Sequence, residues 1–91
     1  MSTVITDRIT KTPGVCGGRA CIAGHRIRVM DIVIRHEDLG MSPDEVIAVY
    51  PDLNLSDVHA ALAYYFDNVD EIRDDILQNN EVAEQLRASF P

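Results

Sequence analysis

Ninety-one residues, 46% of them apolar, suffice for one small domain and leave too little chain for two. A core this thin gains from oligomerisation or a bound partner, because a short chain hides only a modest share of its surface on folding. No window approaches the roughly 18 apolar residues of a membrane span, and the polar opening Met1-Ser2-Thr3 carries no secretory leader, so a cytoplasmic protein with Cys16 and Cys21 reduced is expected.

The net charge of −7 is unevenly laid out. Residues 1–36 carry Arg8, Lys11, Arg19, Arg26, Arg28 and Arg35 against Asp7 and Asp31, whereas residues 37–91 carry thirteen acids against Arg73 and Arg87. The front suits a polyanion and the rear a basic partner. The plainer alternatives are a solvated acidic surface and internal pairing of the front arginines with the acidic half.

In chain order, the first third reads as strands and turns. Thr3-Val4-Ile5-Thr6 and Arg8-Ile9-Thr10 are rich in β-branched residues, and Pro13-Gly14 and Gly17-Gly18 punctuate them. Ala20-Cys21-Ile22 and His25-Arg26-Ile27-Arg28-Val29 flank Ala23-Gly24 as the arms of a hairpin would. From Val29 the period becomes helical: Val29, Ile32, Val33 and His36 share a face, and Gly40 ends the segment. Ser42-Pro43-Asp44-Glu45 then offers an N-cap serine, a proline at the first helical position and a glutamate three residues after the cap. That helix carries Val46, Ile47 and Tyr50 to a stop at Pro51. A third begins at Asn54 or Ser56, with Val58, Ala61, Leu62, Tyr65 and Phe66 at i, i+3, i+4, i+7 and i+8.

The last segment places Val69, Ile72, Ile76, Asn79, Ala83, Leu86 and Phe90 at alternating spacings of three and four, a heptad-like stripe. Asn79-Asn80 could divide it into two helices. The stripe either packs on its own domain or meets a partner, and it is longer than the body before it needs for cover. The fold class read from these signals is mainly α (α+β): a small N-terminal antiparallel hairpin or sheet and a three-helix, helix-turn-helix body over residues 1–68, then a C-terminal amphipathic, partner-binding helix over 69–91.

Chemical constellations are weak. Cys16, Cys21 and His25, with His36 or His59 as a fourth ligand, are spaced more widely than zinc sites prefer. A cysteine nucleophile beside His25 has no acid nearby to orient the histidine. Gly14-Val15-Cys16-Gly17-Gly18-Arg19 lacks the lysine and hydroxyl of a phosphate loop and precedes a strand where such a loop opens a helix. The acids after position 36 mostly lie opposite the apolar stripes, as a solvated face does, rather than clustering for a metal-dependent nuclease. No catalytic residue, metal, cofactor or small-molecule substrate is therefore expected. For nucleic acid, the third helix offers Asn54, Ser56, His59 and Asn68 to base edges but no lysine or arginine. Phosphate neutralisation supplies most DNA affinity, so Arg19, His25, Arg26 and Arg28 are the better candidates, and strands can enter a groove as helices do.

The run Gly17–Val29, followed by Asp31-Ile32, Leu39–Glu45, Tyr50-Pro51-Asp52-Leu53 and Val58–Tyr65, resembles the family catalogued as domain of unknown function 433, over about residues 5 to 68. Ala20, Cys21 and His25 stand where many relatives have proline, valine and threonine. The resemblance implies a winged or homeodomain-like helical fold with a small N-terminal sheet, a homodimer, and the role of antitoxin in a type II toxin–antitoxin pair. It further implies a PIN-like ribonuclease toxin as the partner, inhibited by direct binding, and repression of the shared operon. On that reading Val69, Ile72, Ile76, Leu86 and Phe90 lay an apolar stripe into a groove of the toxin. Arg73 or Arg87 reaches its acidic cleft, and Arg19, His25, Arg26 and Arg28, or Asn54, Ser56 and His59, contact operator DNA. The competing readings are a stand-alone transcription regulator without a toxin and a module that binds protein alone.

Overall fold

The change from strand-like to helical patterning at Val29 is the main division of the chain. A computed structural model describes residues 3–4 and 8–89, with Thr3, Val4 and residues 81–89 described by backbone alone. Strands β1 (Thr3–Val4), β2 (Ile9–Lys11) and β3 (Cys21–Ile22) form an antiparallel sheet in that order. Ile9 lies opposite Ile22 and Thr10 opposite Cys21, which sends both isoleucines to the core face. A 3-10 turn at Cys16–Gly18 interrupts the crossing between β2 and β3. After β3 the chain reverses through Gly24, whose φ of +79° favours glycine. The hairpin expected around Ala23-Gly24 is present, with Ile22 N donating to Ile27 O at 2.9 Å, but its second arm is reduced to one bridge between Cys21 and Arg28.

Helix α1 (Val29–Val33) starts next and loosens into a π turn over Ile34–Asp38, where Leu39 N donates to Ile34 O at 2.9 Å. Gly40, φ +73°, ends it. Helix α2 (Pro43–Val49) opens on the expected capping box: Ser42 Oγ accepts from Glu45 N, and Glu45 Oε1 accepts from Ser42 N at 3.0 Å. The Ser42 backbone bond, then its side chain, hold the Glu45 carboxyl below its ordinary range. Helix α3 (Leu55–Asp67) opens on a second box, in which Asn54 and Asp57 bond each other's backbone at 2.9 and 3.1 Å. A single non-helical residue, Asn68, separates it from α4 (Val69–Ser89), which runs unbroken through Asn79-Asn80.

The architecture is mainly helical with a small N-terminal antiparallel sheet, as the pattern implies. Helix α1 contributes Val29, Met30, Ile32 and Val33 to the centre of the core. Around them lie Ile9 and Ile22 of the sheet, Val46 of α2, and Val58, Ala61 and Leu62 of α3. Ile72 and Ile76 of α4 belong to the same cluster, fully buried and 7% exposed. The division expected at residue 68 therefore falls inside one core, and the first turns of α4 close the domain rather than trail from it.

Candidate functional site

The cations of the front half are mostly committed to the chain's own acids. Arg8 Nη1 lies 2.9 Å from Asp57 Oδ1, tying the start of β2 to the first turn of α3. Lys11 Nζ reaches Glu71 Oε2 at 3.2 Å, and both oxygens of Glu71 also accept from the Tyr64 hydroxyl, at 3.0 and 2.9 Å. Burial, reinforced by Glu71, pushes the Tyr64 hydroxyl well above its ordinary range. Arg19 lies 3.4 Å from Asp75 and donates to Gln78 Oε1 at 3.0 Å. Arg28 clasps Asp31 with Nη2 and Nε at 2.8 and 3.1 Å, which raises the guanidinium further above its usual value. Arg35 lies over the Tyr50 ring and donates Nε to its hydroxyl at 3.1 Å.

Among the proposed DNA contacts, Arg19 and Arg28 are thus engaged within the chain. Arg26 is exposed and His25 half-buried, neither with a side-chain partner among the described residues. Asn54 spends its side-chain oxygen capping α3, while Ser56 and His59 are exposed on the first turns of that helix. Among the described residues no hydrogen bond or ion pair joins the His25–Arg26 turn to Ser56 or His59.

The proposed toxin contacts divide as well. Ile72 and Ile76 are taken by the core, which corrects their assignment to a partner: two apolar side chains that close the domain cannot also be offered at its surface. Arg73, expected to reach a partner's acids, instead donates to both carboxylate oxygens of Asp38 at 2.9 and 3.1 Å and to the Tyr65 hydroxyl at 3.0 Å. Val69 remains 40% exposed. Leu86 and Arg87 lie on turns of α4 described by backbone alone, and Phe90 lies outside the described residues.

Several large apolar side chains also remain open to solvent. Leu55 and Phe66 on α3, and Val69 and Leu77 on α4, are exposed, Phe66 to 61% and Leu77 to 57%. With His59 and Ala63, Leu55 and Phe66 make a stripe along the solvent side of α3 that carries no cation. Leu77 follows Ile76 by one position, about 100° around the helix, and so falls beside the buried stripe. Periodicity that asks only which residues share the core face passes over it. A second apolar spot surrounds a shallow cavity of about 160 Å³ at the π turn, lined by Asp31, Ile34, Arg35, Leu39 and Tyr50, with Leu39 63% exposed.

Among the described residues no three His, Cys, Asp or Glu side chains converge to hold a metal ion, and His36 Nδ1 is bonded to Met41 O at 2.8 Å. No described helix is long and apolar enough to cross a membrane.

Comparison with known proteins gives a family rather than an activity. A family model described as "Protein of unknown function (DUF433)" matches residues 9–65, over half of the chain. A crystal structure of a DUF433 member protein from Anabaena variabilis ATCC 29413 is similar to it, with 38% identity and a TM-score of 0.71, over 79% of this chain and 70% of that one. No curated protein matches the chain.

Proposed function

The chain belongs to the DUF433 family, and we propose that it is a non-enzymatic cytoplasmic antitoxin, a homodimer that binds and silences a PIN-like ribonuclease toxin through the α3–α4 side. One observation carries the reading: large apolar side chains stay exposed along α3 and α4 while most cations are absorbed by the molecule's own acids. Phe66 and Leu77 are large apolar side chains left mostly in water, 61% and 57% exposed, and exposed apolar surface is where protein contacts form. Helix α4 also continues for about three and a half turns beyond Ile76, and the three–four spacing persists there at Ala83 and Leu86.

Repression of the operon through DNA is the lesser arm of this reading. It draws on Arg26 and His25, with Ser56 and His59 as a separate group, because Arg19 and Arg28 are paired. A stand-alone transcription regulator is less favoured for the same reason, while a module that binds protein alone shares the support of the exposed apolar side.

Co-expression with the PIN-like ribonuclease of the same operon tests the protein arm. A truncation after Asn80 and the double substitution Phe66→Ser, Leu77→Ser should each keep a cooperatively folded body, weaken toxin capture at least ~10-fold (about 1.4 kcal/mol), and release ribonuclease activity. Undiminished capture by both variants would refute the use of this surface. A gel shift on the upstream DNA with Arg26→Ala tests the other arm: unchanged retention and unchanged salt dependence remove Arg26 from it.

A further inference from the structure

Two thiols meet at the margin of the sheet, away from the surface just described. Cys21, on β3, is 2% exposed and lies across from Thr10, whose hydroxyl is 3.8 Å from its sulfur. Cys16, half-buried, heads the 3-10 turn with a φ of +52°, the left-handed region that a side chain adopts only under local constraint. That backbone turns its Sγ inward to donate to Arg26 O at 3.3 Å. Arg26 stands two residues before Arg28, which bridges Cys21 across the short hairpin. The bonding of Cys16 to one arm and the position of Cys21 on the other bring the two thiols near each other, and Cys21 adds to the upward push on the Cys16 thiol. Gly17 and Gly18, both with positive φ, follow Cys16 and give this turn freedom to adjust.

We propose that Cys16 and Cys21 are a thiol modification site, which closes to a reversible intramolecular disulfide by exchange with a low-molecular-weight disulfide such as oxidised glutathione. Cys16 reacts first, because it is the more exposed of the two. Its thiolate attacks one sulfur of glutathione disulfide, the S–S bond breaks, one glutathione leaves as thiolate, and Cys16 carries the other as a mixed disulfide. The Cys21 thiolate then attacks the Cys16 sulfur and expels the second glutathione. Two cysteine thiols are oxidised by two electrons and one glutathione disulfide is reduced to two thiols, with the cysteine protons passing through solvent to the leaving thiolates. Closure withdraws Cys16 from Arg26 O and so alters the turn that carries His25 and Arg26. Such pairs inside cells are transient or sensing rather than structural. The site is independent of the antitoxin reading.

Intact mass after incubation of the full chain with glutathione disulfide is the test. The parent should lose two hydrogens and regain them with dithiothreitol. Cys21→Ala should stop at one added glutathione, and Cys16→Gly, a residue suited to φ +52°, should stay unmodified. The rate should rise about tenfold per pH unit from 7 to 9, because burial and then the neighbouring Cys21 push the Cys16 thiol above its ordinary value. Two free thiols after prolonged excess oxidant, a parent that stops at the mixed disulfide, or a disulfide formed only between chains would each overturn the proposal. These outcomes are read on the parent chain, so they stand even if a variant misfolds.

Discussion

Ile72 and Leu77 lie five residues apart on α4 and answer to different surroundings. Ile72 has no exposed surface, so Ile72→Ala should lower unfolding free energy by roughly 2–5 kcal/mol in a urea titration, through lost burial and the cavity left behind. Leu77→Ala should change it by no more than about 0.5 kcal/mol, and an equal effect at both positions would show that Leu77 is covered in solution. Asp75 behaves less simply. Its 3.4 Å contact with Arg19 favours the carboxylate, yet burial dominates, with Glu71 and Asp74 adding to it, and raises Asp75 above its ordinary value of 3.8. The folded chain thus binds this proton more tightly than the unfolded chain does. The stability so gained is present below pH 3.8 and is lost as pH rises through the folded value. Asp75→Asn should melt at or above the parent at pH 7, with the difference closing below pH 3.8. A clear loss at pH 7 would mean that the Arg19 pair outweighs the burial.

Where local chemistry decides an element, the sequence was sufficient. Ser42, Pro43 and Glu45 start α2 through bonds made within four residues, and the cap at Asn54 starts α3 in the same way. The π turn after α1 was not legible, since apolar spacing over five residues does not separate it from an α-helix. Nor did Asn79-Asn80 end α4: the intrinsic reluctance of asparagine is under 1 kcal/mol per residue, and a helix anchored by Ile72 and Ile76 overrides it. The stripe of α4 was visible, but its destination was not, because the same three–four spacing serves a core or a partner. A truncation after Asn80 should therefore stay folded, within a few degrees of the parent's melting temperature, whereas removal of residues 69–91 should abolish cooperative melting by taking Ile72 and Ile76 out of the core. Cooperative, near-parental melting of the longer deletion would refute this account of α4.

Across the whole molecule, the charge asymmetry was plain in composition, while its meaning depended on folding. Lys11 and Arg19 meet Glu71 and Asp75 of α4, and Arg8 meets Asp57, so half of the six front cations are neutralised by the acidic rear, and Arg28 is held by Asp31. A chain of net charge −7 with its cations so engaged should show only feeble affinity for random-sequence duplex DNA at about 0.15 M salt. Salt-sensitive retention of such DNA at micromolar protein would contradict the pairing. The one-residue joint at Asn68 has a further geometric result. With its root seated in the core, α4 is a fixed spar, and whatever grasps its far end inherits the azimuth of the whole body. Inserting one residue after Asn80 would turn the grasped face by about 100°, whereas inserting seven would return it to within about 20° of its first bearing. Capture should fail and recover with that phase, as engagement does between gears.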